Sequence, residues 1–264
     1  MIQNIHPTAY IADDAVLGEN VKVGPFAVVE SGAELGNNCV LGAHAVVQSF
    51  VKMGDGNVLH PHVVLGGLPQ DTSFQAETVS WLIIGHHNVF REGFTAHRAG
   101  KAEGETRIGS GCYFMNNSHV AHDCVVGDKT IFANNVAIGG HVEVGSHVFM
   151  GGNVVAHQFC RVGSYAMVRG TSGLSMDAMP FMLIGGAPAK HYKLNTVGLR
   201  RAGITGERYS ILAAAFRLLK VKGSLDDLVE TEELKYLKEW LAIKSKRGVH
   251  GFVTVANLNN LHDK

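Results

Sequence analysis

Residues 5–65 read IHPTAY IADDAV LGENVK VGPFAV VESGAE LGNNCV LGAHAV VQSFVK MGDGNV LHPHVV L, with an aliphatic residue at every sixth position. Eleven such positions follow one another without a miss, and glycine often comes next. The fifth position of each hexad is usually small or branched, as at Ala9, Val21 and Cys39. An α-helical period of 3.6 residues cannot produce a six-residue repeat. The pattern predicts a parallel β-helix of hexapeptide repeats, in which three hexads, 18 residues, close one triangular coil.

The repeat is interrupted twice and then resumes. It returns at Ile84 and runs again over residues 108–174. The interruptions, at about residues 66–82 and 97–107, are polar and contain glycine. Insertions in such a solenoid become loops that leave one face, often the binding face. We therefore expect two inserted loops beside a possible binding site.

Beyond Pro188 the six-residue period disappears and a helical one replaces it. Apolar spacing predicts two helices, at about residues 206–221 and 224–243. The predicted fold class is mainly β, with a β-helix over residues 1–187 and a helical C-terminal domain over residues 188–264.

Charge divides at the same boundary. The whole chain has 23 Lys and Arg against 23 Asp and Glu, which argues against indiscriminate nucleic-acid binding. Residues 188–264 hold 14 basic and 8 acidic residues, a net charge of +6, so residues 1–187 carry −6. Two interpretations stay open: the basic region attracts an acidic protein partner, or it is a solvated cap on the open end of the β-helix.

The sequence gives no sign of a membrane span or an export signal. No apolar run approaches the roughly 18 residues that a span requires. The start, MIQNIHPTAY, lacks a basic segment followed by an apolar one. We therefore expect a soluble, cytoplasmic protein.

The four cysteines share one position in the repeat. Cys39, Cys112, Cys124 and Cys160 all fall at the fifth position of a hexad, where a small apolar group is required. The register therefore predicts that they pack in the core and form neither disulfides nor a metal site.

Histidines are concentrated in the predicted β-helix, with 12 of the 15 before residue 188. The hexads that begin at residues 120, 138 and 156 are 18 residues apart, so they should stack at about 4.8 Å like neighbouring strands. This stacking predicts that four histidines converge at one edge of the β-helix: His119, His122, His141 and His157.

The histidine group has three interpretations. His122 precedes Asp123, and a histidine beside an acid can act as a general base because its intrinsic pKa is about 6.5. Stacked histidines could instead fill a wet subunit interface or hold a metal ion. The His-x4-His pair of β-helix carbonic anhydrases does not occur in this sequence, so we expect no metal.

Five segments resemble one family of enzymes. They are NNSHVAHDCVVGD (residues 116–128), IGGHVEVG (138–145), VVAHQFCRVG (154–163), REGFTAHR (91–98) and SKRGV (245–249). On these residues the chain resembles the UDP-N-acetylglucosamine O-acyltransferases over essentially its whole length. The resemblance implies a left-handed β-helix and a homotrimer whose acyl-chain groove lies between subunits.

The resemblance also implies a reaction. A 3-hydroxyacyl chain would pass from acyl carrier protein to the 3-hydroxyl of UDP-N-acetylglucosamine (UDP-GlcNAc), the first step of lipid A synthesis, without a metal, a cofactor or a covalent enzyme intermediate. His122 would be the general base and Asp123 would support its imidazole. The backbone N–H of Gly140 would stabilise the oxyanion.

Further positions match substrate contacts of the family. They are Gln70, Asp71, Ser73, His119, His141, His157, Gln158, Gly170, Asn195 and Arg201. Gln70 and Asp71 would reach the nucleotide sugar from the first loop, whereas Asn195 and Arg201 would hold the uridine diphosphate from a neighbouring subunit. Gly170 would lie at the floor of the acyl groove and leave space for a longer chain; the alternative is an ordinary turn glycine.

Three positions depart from the family pattern. Ser73 stands where a lysine is usual, Val197 where an acid is common, and Ala202 where a second arginine is expected. An acceptor that carries a 3-amino group therefore stays open. Another hexapeptide acyltransferase and a non-enzymatic β-helix scaffold are further alternatives, because a fold does not determine a function.

Overall fold

A computed structural model of the protein describes residues 4–253. In this part of the chain the strands are β1 (Asn4–Ile5), β2 (Tyr10–Ile11), β3 (Val16–Leu17), β4 (Lys22–Val23), β5 (Val28–Val29), β6 (Glu34–Leu35), β7 (Val40–Leu41), β8 (Val46–Val47), β9 (Val51–Met53), β10 (Val58–Leu59), β11 (Val64–Gly67), β12 (Trp81–Ile84), β13 (Val89–Phe90), β14 (Thr95–His97), β15 (Glu105–Ile108), β16 (Tyr113–Phe114), β17 (His119–Val120), β18 (Val125–Val126), β19 (Ile131–Phe132), β20 (Ala137–Ile138), β21 (Glu143–Val144), β22 (Phe149–Met150), β23 (Val155–Ala156), β24 (Arg161–Val162), β25 (Met167–Val168), β26 (Gly173–Leu174), β27 (Met182–Gly186) and β28 (Ala189–Leu194). The helices are α1 (Thr196–Arg201), α2 (Gly206–Lys220) and α3 (Glu232–Ala242).

The strands form three sheets, which are the three faces of a β-helix. Face A contains every third strand from β1 to β25 and ends with β27 and β28; face B runs from β2 to β26, and face C from β3 to β24. Uninterrupted coils pair with a shift of 18 residues, as in Val120↔Ile138 and Ile138↔Ala156. The predicted triangular coil of three hexads is confirmed.

Each short strand turns one residue inward, and this residue is the aliphatic one of the repeat. In β7, for example, Leu41 is buried whereas Val40 is only partly covered. The corners between faces require left-handed backbone, which His44 (φ 58°) and Asn135 (φ 60°) adopt. Hexads therefore bury a continuous column of apolar side chains, which is the core of the molecule.

The cysteines lie where the repeat places them. All four are buried and free, and the Cys124 thiol lies 3.1 Å from the carbonyl oxygen of Gly139 in the next coil. Burial raises the pKa of Cys112 and Cys160 to about 11. The prediction that they pack in the core is confirmed.

Both inserted loops are shorter than the sequence predicts. The first leaves the β-helix at residues 68–80, between β11 and β12, and the second at residues 98–104, between β14 and β15. The predicted limits, 66–82 and 97–107, were too wide because the loop ends pair as strands. Trp81 pairs with Glu105 and extends face C outward.

The C-terminal region begins with a strand. β28 lies beyond residue 187 and pairs antiparallel with β27, so the two predicted domains share face A, and the division at residue 187 stays a prediction. α2 agrees with the first predicted helix, whereas α1 was not predicted. Within residues 4–253, no helix is both long and apolar enough to pass through a membrane. Residues 254–264 of the predicted helical domain lie outside the described residues.

The second predicted helix is wrong at its start, since α3 begins at Glu232, and residues 224–231 are a turn at 225–228 with irregular backbone on both sides. The Ser224 hydroxyl lies 2.6 Å from a carboxylate oxygen of Asp226, and this local bond competes with a helical turn. The side chain of Thr231 accepts a hydrogen bond of 3.2 Å from the backbone N–H of Leu234 and so caps α3.

Candidate active site

The predicted catalytic residues lie at the edge between faces B and C, in two successive coils. We call this feature the B/C edge; it comprises residues 121–124 and 139–142. The backbone N–H of His141 donates to the carbonyl oxygen of His122, which joins the two turns at 3.0 Å. Asp123 and His141 both occupy the left-handed corner position, with φ of 59° and 61°. The 18-residue register therefore places side chains of both coils together.

His122 and Asp123 form a hydrogen-bonded pair. The Nδ1 of His122 lies 2.6 Å from Oδ2 of Asp123, and both side chains are largely shielded from solvent. The same oxygen accepts a 3.0 Å hydrogen bond from the backbone N–H of Gly100 in the second loop. The backbone N–H of Asp123 in turn donates to Oγ1 of Thr106 at 2.7 Å. Because a carboxylate accepts, Nδ1 of His122 donates in this bond, and in the neutral ring Nε2 has the lone pair that can accept a proton from a substrate.

Gly140 lies directly against the imidazole of His122. A Cβ at residue 140 would lie 2.7 Å from Cε1 and 2.8 Å from Nε2 of His122, so a side chain there would displace the ring. Among residues 4–253 the backbone N–H of Gly140 donates to no other residue. Gly140 therefore lies against the His122 ring and has a backbone N–H that no group within residues 4–253 uses. Acyl transfer requires a base and an N–H donor in one site.

His141 completes the B/C edge. Its ring is perpendicular to that of His122 at 5.3 Å, and its Nε2 lies 3.8 Å from Oδ2 of Asp123. On its other side it stacks on Phe159 at 4.6 Å. Burial lowers the pKa of His141, and the opposing effect of Asp123 is smaller. His141 is therefore a neutral hydrogen-bonding group at neutral pH.

Two further histidines line face B next to this edge. His119 shares a 2.7 Å hydrogen bond with the Thr95 hydroxyl, and the ring of His97 meets that of His119 edge-on at 4.7 Å. Burial lowers the pKa of His119 and lowers that of His97 to about 4. The sequence did not single out His97, since it stands where the repeat gives way to a loop; the matching segment REGFTAHR was the one signal that contained it.

His157 lies apart from the other three histidines. It is exposed, its Nδ1 lies 3.2 Å from the carbonyl oxygen of Gln158, and no contact within residues 4–253 joins it to His122. The register explains this, because His157 follows Ala156 directly and stacks above Gly139. The predicted convergence of four histidines is therefore wrong for His157, which instead lines an apolar cavity of about 520 Å³ with Leu174.

The B/C edge also contains three groups that could approach a metal ion. Ligand atoms of His122, Asp123 and His141 lie within 4.8 Å of one another. In the structure, however, Oδ2 of Asp123 accepts hydrogen bonds from His122 and Gly100, an arrangement suited to moving a proton. That the reaction needs no metal stays a prediction.

The first loop brings Gln70, Asp71 and Ser73 to the surface. Oδ1 of Asp71 accepts hydrogen bonds from the backbone N–H (2.9 Å) and the hydroxyl (2.7 Å) of Ser73. These bonds hold the pKa of Asp71 below its usual value, and His122 and His141 contribute smaller effects in the same direction. The hydroxyl of Ser80, at the end of this loop, donates to the carbonyl of Ala99, and the N–H of Gly100 donates to Asp123, so the end of the loop lies on the side of the histidines.

Asn195, Arg201 and Gly170 lie elsewhere in the chain. The amide of Asn195 caps α1 through the N–H of Gly198 at 3.1 Å and donates to the carbonyl of Tyr165 at 2.9 Å. Asn195 and Arg201 line a cavity of about 460 Å³ beside face A. Gly170 is exposed in the turn from face A to face B. Within one chain, these residues do not meet the B/C edge.

Two family models match the chain. One, described as "Bacterial transferase hexapeptide (six repeats)", matches residues 32–67 and 105–140. The other, described as "Udp N-acetylglucosamine O-acyltransferase; Domain 2", matches residues 177–250. Together with the coil geometry and the histidine–aspartate pair, these matches define the class as a hexapeptide-repeat acyltransferase.

Relatives and solved structures narrow the class. The acyl-(acyl-carrier-protein)–UDP-N-acetylglucosamine O-acyltransferase of Neisseria gonorrhoeae is 50% identical over 221 residues, 83% of this chain and 85% of that one. Its counterpart in Aliarcobacter butzleri is 41% identical and covers 94% and 98%. The structure of the UDP-N-acetylglucosamine acyltransferase from Campylobacter jejuni, 34% identical, superposes with a TM-score of 0.88 over 94% of this chain and all of that one. The chain belongs to the UDP-N-acetylglucosamine O-acyltransferase family, and its fold is the left-handed β-helix expected from the resemblance.

Proposed function

We propose that the protein transfers a 3-hydroxyacyl chain from acyl carrier protein to the 3-hydroxyl of UDP-GlcNAc, the first step of lipid A synthesis. The observation that carries the proposal is the His122–Asp123 pair, in which Nδ1 of His122 is bonded to the carboxylate and the ring lies against Gly140. The names of the family members supply the donor and the acceptor.

The chemistry follows from this pair. Nε2 of His122 takes the proton of the sugar hydroxyl while its oxygen attacks the thioester carbon, so that a C–O bond forms and Asp123 stabilises the imidazolium. The N–H of Gly140 donates a hydrogen bond to the carbonyl oxygen of the thioester as negative charge develops on that oxygen. When the C–S bond breaks, the imidazolium returns its proton to the leaving thiolate. No covalent enzyme intermediate is required.

The remaining residues recognise the two substrates. Gln70 and Asp71 contact the nucleotide sugar from the first loop, with Ser73 holding the carboxylate of Asp71 in place. His119 and His141, both neutral, line the sugar and the acyl chain, as do His157 and Gln158. Asn195 and Arg201 bind the uridine diphosphate from a neighbouring subunit, where the planar guanidinium suits a diphosphate.

A homotrimer supplies that neighbour. Outward residues of faces A and B are mostly apolar, whereas charges dominate face C. On face A they include Val40, Val58, Val89, Tyr113, Ile131, Phe149 and Met167, on face B Val28, Val46, Val64, Ala137 and Val155, and on face C Glu34, Lys52, Arg107 and Glu143. Packing face A of one subunit against face B of the next buries both apolar faces, because burial of apolar surface drives association. The charged part of face C from Glu34 to Glu143 then remains outside the contacts between subunits.

This packing predicts that a charge introduced on face A disrupts the trimer, whereas a charge introduced on face C does not. Ile131→Lys puts a charge on face A and should convert the trimer to monomers. Val125→Lys lies in the same coil but on face C, where Val125 is 43% exposed, and should leave the trimer intact. Light scattering on the purified variants measures the difference. A trimer in both variants would contradict the arrangement of faces.

The central experiment is a product assay. Purified protein is incubated with 3-hydroxyacyl carrier proteins of several chain lengths and with UDP-GlcNAc or its 3-amino analogue, and products are identified by mass spectrometry. We expect product from UDP-GlcNAc and a loss of about 10²- to 10⁴-fold in His122→Ala, the usual value of a positioned base. An active His122→Ala variant would contradict the mechanism, and no product from either acceptor would contradict the proposed function.

The 3-amino acceptor is the second candidate. The first loop favours this acceptor. Ser73 stands there in place of the usual lysine, and its hydroxyl donates a hydrogen bond to Asp71. Val197 and Ala202 likewise replace polar groups on and after α1. Product from the amino analogue alone would assign these three positions to acceptor choice.

Gly170 sets the length of the acyl chain in this proposal. A Cβ at residue 170 would lie 3.1 Å from the carbonyl oxygen of Gly152, a tight contact, but the residue is exposed and the rest of a side chain could extend away from the turn. Gly170→Met should therefore fill the groove and shift preference toward shorter donors in the same assay. An unchanged chain-length profile would contradict this role.

A further inference from the structure

Arg98 joins the two inserted loops. It is the second residue after Ala96 of face B, and only 3% of it is exposed. Its guanidinium lies over the rings of Phe50 and Phe74, with centroids at 4.9 and 5.2 Å. A cation held between two aromatic rings at this depth is fixed in position.

The hydrogen bonds of the Arg98 side chain all reach the first loop. Nη2 donates to the carbonyl oxygen of Ala76 at 2.8 Å, and Nη1 donates to the carbonyl oxygen of Thr78 and, at 3.4 Å, to the hydroxyl of Ser80. Burial lowers the pKa of Arg98, and no carboxylate within residues 4–253 offsets this effect. The buried charge is therefore satisfied by the loop itself.

The residues around Arg98 contact the B/C edge and the neighbouring His119 of face B. His97 packs against His119, and the backbone N–H of Gly100 donates to Oδ2 of Asp123. The loops are also tied by a 2.6 Å hydrogen bond from the Ser80 hydroxyl to the carbonyl of Ala99. Residues 97–100 thus hold the first loop on one side and the histidine–aspartate pair on the other.

We propose that Arg98 is a positioning residue for the nucleotide sugar: it holds the first loop, which carries Gln70, Asp71 and Ser73, in place beside His122 and Asp123. The inference rests on the proposed function, because it takes this loop as the contact to the sugar. Ordering a flexible loop when a ligand binds costs conformational entropy. A loop that is already ordered avoids this cost, so the sugar binds more tightly.

Steady-state kinetics test the proposal. Arg98→Met and Arg98→Lys should raise KM for UDP-GlcNAc by about tenfold or more, with KM for the acyl carrier protein changed by less than about twofold. Lysine should not rescue, because a single ammonium cannot stack between two rings and serve three acceptors. The matched control is Arg107→Met, on the next strand, β15, where the Arg107 side chain is 59% exposed on face C. Its constants should equal those of the wild type.

Hydrogen–deuterium exchange separates positioning from general destabilisation. Faster exchange confined to residues 68–80 in the Arg98 variants, together with the KM effect, supports the proposal. Exchange that rises throughout the β-helix, an equal rise of both KM values, or full rescue by lysine would overturn it. Inactive wild-type protein would overturn the proposed function, whereas an active wild type with an unchanged KM in Arg98→Lys would overturn only the role of Arg98.

Discussion

At the scale of the residue, Gly140 controls how closely His122 approaches the next coil. Gly140→Ala keeps the backbone N–H but puts a Cβ within 2.8 Å of the imidazole, so the ring must move away. A displacement of about 1 Å at a reacting group costs on the order of 10²-fold in rate. We therefore expect kcat/KM of Gly140→Ala to fall about 10²-fold, measured by initial rates of acyl transfer.

A second glycine provides the control for this substitution. At Gly251 the nearest atom to an added Cβ is Nζ of Lys190, at 3.9 Å, so Gly251→Ala should leave the rate unchanged. Thermal unfolding of both variants shows whether folding is affected. Wild-type activity in Gly140→Ala would mean that the position of the imidazole does not limit the reaction.

Individual site residues differ in how far the sequence predicts them. The 18-residue register predicts that His122, Asp123 and His141 lie together, because residues 18 apart in the sequence are neighbours in adjacent coils. His97 and Gly100 do not follow from it, since they lie where the chain leaves the repeat. Their contacts to His119 and Asp123 depend on the path of a loop, which no period describes.

At the scale of the element, Arg161 fastens α3 to face C. Nε of Arg161 donates to Oδ2 of Asp177 at 2.7 Å, and its Nη atoms donate to the carbonyls of Trp240 and Ile243 at 3.3 and 3.2 Å. The guanidinium also lies 4.3 Å from the centre of the Trp240 ring. One side chain therefore satisfies carbonyls at the end of the helix and neutralises a fully buried acid.

Removal of this cation should be costly. Arg161→Met leaves the carboxylate of Asp177 buried without its partner, and breaking such a pair costs about 3–5 kcal/mol. We expect that loss in the free energy of unfolding, measured by urea titration. Lys52→Met, which breaks the exposed pair with Glu34 on the same face, should cost about 0–1 kcal/mol. Similar losses in the two variants would contradict the anchoring role of Arg161.

The error in the second predicted helix has a local cause. Leu225 and Leu228 extend the helical spacing of apolar residues toward the N-terminus, and Ser224 is a plausible cap. The actual start uses Thr231, followed by Glu232 and Glu233, whose charges favour the N-terminal end of α3. Two competing start signals seven residues apart cannot be ranked by spacing alone.

At the scale of the whole molecule, the β-helix could be predicted because each coil contacts only its neighbours. A repeat of six residues predicts both where each strand lies and which strand, 18 residues away, pairs with it. In other folds the pairing of strands does not follow from their positions in the sequence. The helical region has no such rule. Its attachment through Arg161, and the strand pairing of β28 with β27, depend on contacts between unrelated stretches of sequence.

Buried histidines make the stability of the whole molecule depend on pH. His191 is fully buried; its Nδ1 donates to the carbonyl of His250 at 2.8 Å, and its Nε2 accepts from the N–H of Met179 at 2.8 Å. Only the neutral ring satisfies both bonds, and burial lowers the pKa of His191 to about 4. Burial has the same effect on His97.

These shifts predict that the protein loses stability in mild acid. Below about pH 6.5 the unfolded chain binds protons at these histidines that the folded chain does not, so unfolding becomes easier until the pH reaches about 4. Each histidine should account for on the order of 2–3 kcal/mol over this window. His191→Gln, whose amide can still accept from Met179, should be less stable at pH 7.5 but show a flatter decline from pH 6.5 to 4. Urea midpoints at several pH values measure both slopes, and parallel slopes would mean that His191 does not hold a depressed pKa.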